Sequence, residues 1–288
     1  MEKYFFFLVL ILCSFSCTKK EKLIIGGSGW QEIAIVDKKS GKIEWKHDLA
    51  ADEECNKVEI TPKGNVLYAY KQGARLIDRK HQVIWDYKVK EGEELHYATY
   101  DGGGYLLAIC GMPARIVELD AKGNQTKEIT FQTAIPDVHN QFRQIAKTPQ
   151  GTYVIPFMGK YKVSEMDGEG RFIRSILTGG TPFSAKLIDG GNWLVSCGLG
   201  SALMEINPET KEKTKIIETK DLNWGVLLFV AEAIRYQNGN TLIANWNGYS
   251  DDKTQALLLE INSDNKIAWR LPPNPEIKNI TSVFSFFE

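Results

Sequence analysis

The chain is short of net charge, helical periodicity, metal-spaced cysteines and catalytic fingerprints, and each shortage removes a class of function. Its 35 Lys and Arg against 36 Asp and Glu leave a net charge of −1, so it lacks the basic footprint of a nucleic-acid partner. The five cysteines fall at Cys13, Cys17, Cys55, Cys110 and Cys197. None of these spacings suits zinc. No phosphate-cradling Gly-rich loop, nucleophile elbow or zinc motif occurs. Neither a metal nor a cofactor is therefore expected. Asp251-Asp252 is too small a donor set for Ca²⁺, which needs six or more oxygens. No segment of useful length repeats at helical spacing, and the apolar run Tyr4–Leu12 is too short to span a ~30 Å hydrocarbon core.

That run has a different meaning. Lys3 precedes it, Cys13-Ser14-Phe15-Ser16-Cys17 follows it, and a polar stretch, Thr18-Lys19-Lys20-Glu21-Lys22, comes next. Charge, apolar stretch and small residues in that order make an export signal. The Ser16-Cys17 junction resembles a bacterial lipoprotein signal. The resemblance implies cleavage before Cys17, lipid on Cys17, and a membrane-anchored lipoprotein of the cell envelope. The organisation expected is a signal peptide over 1–16, a lipidated Cys and tether over 17–22, and one domain over 23–288. Export places that domain where disulfides can form. Cys55, Cys110 and Cys197 read as buried small hydrophobes, with a Cys55–Cys110 bridge left open.

A phrase repeats through the rest. Hydrophobic residues run into Asp37, Asp78, Asp120, Asp167, Asn207 and Asn262, at steps of 41, 42, 47, 40 and 55 residues. Short strands repeating every 40–50 residues are the mark of a β-propeller. Gly64-Asn65, Gly102-Gly103-Gly104, Gly151, Gly190-Gly191-Asn192 and Gly239-Asn240 each precede a strongly apolar strand. The Asp and Asn positions read as turn formers, and Trp45, Trp85 and Trp269 as packing between blades. Five blades are complete. The first lacks an inner strand, and the alternating Ile280–Phe287 segment is available to supply it. The expected fold is all-β: a six-bladed propeller of four-stranded blades, closed by the C-terminal strand joining the first blade.

The stretch Ile35-Val36-Asp37-Lys38-Lys39-Ser40-Gly41-Lys42-Ile43-Glu44-Trp45 is similar to the repeat of quinoprotein-type propellers, with degenerate copies at Leu76–Trp85 and Leu259–Trp269. The quinone dehydrogenases usually carry eight blades and an adjacent Cys pair, whereas this chain has about six blades and no such pair. Leu95-His96-Tyr97, Val138-His139-Asn140 and the turn Asn238-Gly239-Asn240 resemble six-bladed arylsulfotransferase-like propellers. That resemblance implies a His nucleophile supported by His and Arg, for which this chain offers His96, His139 and Arg143. His47 and His81 fall on outer strands or turns, away from any such site.

Loops that enter the first strand and leave the second share one face of a propeller, around its axis. Here they carry Trp30, Glu94, Asn140, Met158, Trp224, Glu232, Trp246, Asn247 and Tyr249 beside His96, His139 and Arg143. Aromatics with a few polar groups suit a small molecule, glycan or envelope protein. The reading is a monomeric ligand- or protein-binding module acting through these loops. The alternatives are a His-dependent enzyme, sulfotransferase-like or carbohydrate-active, at the central channel, and a structural assembly scaffold.

Overall fold

The computed structural model describes residues 19–250 and 254–288; the expected signal peptide, Cys17 and Asp251-Asp252 lie outside them. Six four-stranded antiparallel sheets form the blades of a propeller. The second strands are mostly hydrophobic and buried on both faces, as at Val66–Tyr70, Tyr153–Phe157 and Trp193–Cys197. Packing between neighbouring sheets demands that composition. The outer strands, such as Ile43–Asp48 and Val83–Lys88, are only partly covered.

The repeated Asp or Asn closes the turn between third and fourth strands. Asp78 Oδ1 accepts from the backbone N–H of Lys80 and Gln82, and Asp120 Oδ1 from Lys122 and Asn124. Asp167, Asn207 and Asn262 do the same in their own blades, and Asp37 Oδ1 accepts from the backbone N–H and the hydroxyl of Ser40. Each turn also needs one left-handed residue. Gly123, at φ 87°, fills that role, and a β-carbon there would sit 3.0 Å from the Trp85 ring of the preceding blade. The three tryptophans do reach across. Trp45 Nε1 donates to Arg79 O at 3.0 Å, Trp85 meets Tyr105 edge-on at 4.9 Å, and Trp269 lies 5.4 Å from Lys38 Nζ.

The ring closes as the repeat implies. Strand Ser282–Phe287 is the innermost strand of blade 1 and pairs with Glu21–Gly26 from Glu21↔Phe287 to Gly26↔Ser282. The backbones of Lys20 and Glu288 continue the ladder at 2.7 and 3.1 Å. The three described cysteines are free and buried. Cys55 packs between blades 1 and 2, whereas Cys110 sits in the core between blades 3 and 4, so no Cys55–Cys110 bridge forms.

Around the axis the inner strands present polar side chains. Glu232, from strand Val230–Arg235, is fully buried. Its Oε1 meets Lys57 Nζ at 2.7 Å and Lys186 Nζ at 2.6 Å. Its Oε2 accepts from Ser282 Oγ at 2.9 Å and Val283 N at 3.0 Å. Burial pushes the carboxyl pKa up, but the two ammonium groups outweigh it and hold the value down at about 2. A depressed carboxyl stabilises the fold above its ordinary value and loses that contribution as pH falls through the folded one. Glu232→Gln strands two cations and is expected to cost about 3–5 kcal/mol. It should also flatten the loss of stability between pH 4.5 and about 2. Chemical denaturation across that range checks both, and a variant with the wild-type acid slope would remove Glu232 from this role.

Candidate functional site

The blade entries and second-to-third-strand loops enclose a 410 Å³ cleft at one mouth of the channel. Of the residues read from the sequence, it gathers His139, Asn140, Arg143, Met158, Trp246 and Tyr249. Its aromatic wall is a chain of edge-on contacts: Phe183 to Phe229 at 5.3 Å, Phe229 to Trp246 at 5.2 Å, and Trp246 to Tyr249 at 4.6 Å. Trp246 is fixed by its Nε1 donating to Ser28 O at 3.0 Å. Gly248 permits the fold of this loop, because its α-carbon lies against the Trp246 ring where no β-carbon fits. Tyr249 stands at the rim, 78% exposed.

A charged group closes the other side. Val138–Asn140 forms a single 3₁₀ turn, capped by Asp137 accepting from His139 N at 3.0 Å. The chain then runs inward, buried from Gln141 to Ala146, and Gln144 pairs in parallel with Ser184 of the next blade. Arg143 is thereby carried into the wall, only 5% exposed, with its guanidinium 5.8 Å from the Phe183 ring centre. It donates to the carbonyls of His139 and Phe142 and, through Nη2, to His139 Nε2 at 3.0 Å. Burial pushes its pKa down, against the charges of Glu94 and Asp137. Among the described residues no carboxylate comes within ion-pair distance of it.

Behind Arg143 the polar groups form a relay. Glu94 Oε2 meets His139 Nδ1 at 2.8 Å and His96 Nε2 at 3.0 Å, and Glu94 Oε1 meets Lys71 at 3.0 Å. Burial works to raise the Glu94 pKa, but hydrogen bonds from His139, His96 and Lys71 hold it well below the usual carboxylate range. Ligand atoms of Glu94, His96 and His139 lie within 4.8 Å of one another, a donor set of metal-binding type. Hydrogen bonding gives them another role. Arg only donates, so His139 Nε2 accepts and Nδ1 carries the proton toward Glu94. A metal on that Nδ1 would turn an N–H against the guanidinium. His96 is buried with its Nδ1 unpartnered, and burial together with the Arg143 charge lowers its pKa to about 3.

The remaining candidates named from the sequence lie elsewhere. Glu232 is sealed on the axis by its ion pairs rather than placed in a loop. Trp30 is core, 4% exposed, packed between blades 6 and 1. Asn247 and Trp224 face a separate groove, where Trp224 stacks 4.3 Å from the Arg270 guanidinium. Phe183, Phe229 and Tyr161 also line the cleft, although no motif marks them in the sequence. Phe183 and Phe229 stand at the entries of blades 5 and 6, and a comparison of blade entries in register is the signal that picks them out.

Neutral His96 makes stability depend on pH. Its folded pKa lies below that of the unfolded chain, so the unfolded state binds more protons between pH 6.5 and about 3, and stability falls as pH falls through that window. The loss from pH 7 to pH 5 is expected to be about 2 kcal/mol. His96→Gln should abolish this part of the slope in urea denaturation; an unchanged slope would assign it to other groups.

A family model for Mal s 1 allergenic protein-like proteins matches residues 28–266. The crystal structure of a protein of unknown function from Bacteroides caccae superposes with a TM-score of 0.89 at 33% identity, over 92% of this chain and 98% of that one. More distant likenesses are a streptogramin B lyase (TM-score 0.59, 11% identity, 90% and 85% covered) and a chain of a nidogen–laminin complex (TM-score 0.65, 10% identity, 92% and 98% covered). At those identities they share the fold alone. No curated protein matches in sequence. With four-fifths of its length under one family model and a near-complete structural counterpart, the chain belongs to the Mal s 1 allergenic protein-like family of six-bladed β-propellers.

Proposed function

We propose that the propeller is a binding module whose channel-side cleft captures a small ligand carrying an anionic group and a flat apolar body. One observation carries this reading: Arg143, buried and without a carboxylate partner among the described residues, faces the same cleft as the Phe183–Phe229–Trp246–Tyr249 wall. A buried cation without a counter-charge is costly, and an incoming carboxylate or sulfate supplies one with bidentate geometry. The rings supply area at low entropic cost. The His-dependent enzyme reading draws less support. The Nε2 lone pair of His139 is taken by Arg143 and His96 is sealed below, so neither imidazole offers a base to the cleft. A concave cleft likewise favours ligand capture over a purely structural scaffold.

Thermal-shift screening of the purified protein against aryl carboxylates, aryl sulfates and sulfated glycans tests the reading. Hits are expected to bind Arg143→Met and Tyr249→Ala at least 30-fold more weakly and Trp224→Ala, in the separate groove, as tightly as wild type. A library without hits, or hits indifferent to Arg143→Met, would sink it.

We further propose that the module is held at the cell envelope by lipid on Cys17, with the residues up to Lys19 as its stem; Glu21 and Lys22, read from the sequence as tether, instead belong to the second strand of blade 1. The Lys3 to Cys17 pattern supports this. Cys17→Ser should move the protein from the membrane to the soluble fraction and end its labelling by a clickable fatty acid. Unchanged fractionation and labelling would refute the anchor.

A further inference from the structure

Away from the channel, an aromatic cluster joins the outer edges of blades 1 and 2. Trp45 and His47 come from the outer strand Ile43–Asp48, and His81 from the turn of blade 2. His47 Nδ1 and His81 Nδ1 are 3.0 Å apart. Their planes differ by 13° and their centroids by 5.2 Å, so the rings stand end to end with nitrogens facing. The Trp45 ring lies within 7° of parallel to His81 and 9° to His47.

The repeat makes this pairing unusual. His81 occupies the left-handed turn position, φ 69°, where the other blades place Gly41, Gly123, Gly170, Lys211 and Asn265. Only blade 2 has a residue there that readily ligates a transition metal, and it does so opposite the imidazole of blade 1.

We propose that His47 and His81 form a two-imidazole site for Cu²⁺ or Ni²⁺ that bridges blades 1 and 2. In the neutral pair one Nδ1 donates and the other accepts. With metal bound, both Nδ1 atoms offer lone pairs and both Nε2 atoms keep protons, so the pair releases none. Metal–nitrogen bonds of ~2.0 Å on nitrogens 3.0 Å apart subtend roughly 95°, using bond lengths typical of imidazole ligands. That is a cis angle of a tetragonal site and is tighter than a tetrahedron, which favours Cu²⁺ or Ni²⁺ over Zn²⁺. The rings must turn so that their lone pairs meet off the nitrogen–nitrogen line, and exposed His81 has the room. Water completes the shell. Asp48 and Glu53 favour a cation there, while Arg75 and Arg79 oppose one.

Titrating the full protein with CuCl₂ or NiCl₂ at pH 7.4 tests this, because Trp45 reports on its neighbours. Expected are saturable quenching at one equivalent, a Cu²⁺ electron paramagnetic resonance signal with two nitrogen couplings, and a raised Tm. His81→Gly places the residue best suited to that backbone, so it should fold fully and yet bind at least tenfold more weakly, as should His47→Gln. His139→Asn, which removes the cleft imidazole, should keep the wild-type affinity. Equal binding by His81→Gly and His47→Gln, or no saturable site below about 100 μM, would overturn the proposal.

Discussion

The Glu232 carboxylate is the contact on which the rest of the ring depends. It joins four blades in one place: its own, blades 2 and 5 through Lys57 and Lys186, and blade 1 through Ser282 and Val283. A buried ion pair of this kind adds little net stability over an apolar core, yet is strongly disruptive to break. Its effect is therefore on register. Hydrophobic sheet faces slide over one another at modest cost, but a buried carboxylate with four donors fits one arrangement. The C-terminal strand is included in that arrangement, so closure of the ring and neutralisation of its axis are the same event.

The fold was legible because its signals are local. An Asp that accepts from two backbone N–H groups within four residues acts in the same way in any blade. The positions of the turn and of the strand that precedes it were therefore both written beside that residue. The missing inner strand was legible for a related reason: Ile280–Phe287 alternates like a strand, and only blade 1 had room for it.

The cleft was only half legible because it consists of distances between blades. His139, Arg143, Trp246 and Tyr249 could be assigned to one face, but not to contact with Phe183 and Phe229. Glu232 and Trp30 show the limit most clearly. Glu232 turns from the first strand of its blade onto the axis, and Trp30 turns from the loop before strand Glu32–Asp37 into the core. The partnership of Glu94 with both imidazoles crosses 45 residues of sequence to His139, and no spacing rule encodes it. His47 and His81 look peripheral when each is weighed alone, and they meet because neighbouring blades press their edges together.

The ladder between Lys20 and Glu288 also gives the molecule a direction. Thr281 lines the cleft, and strand Ser282–Phe287 then runs the full depth of the ring, roughly 20 Å at the usual rise per residue, to where Lys20 and Glu288 meet. Lys20 and Glu288 thus lie on the side opposite the cleft. The two mouths of the channel therefore differ: one carries the aromatic cleft, the other the pairing of Lys20 with Glu288.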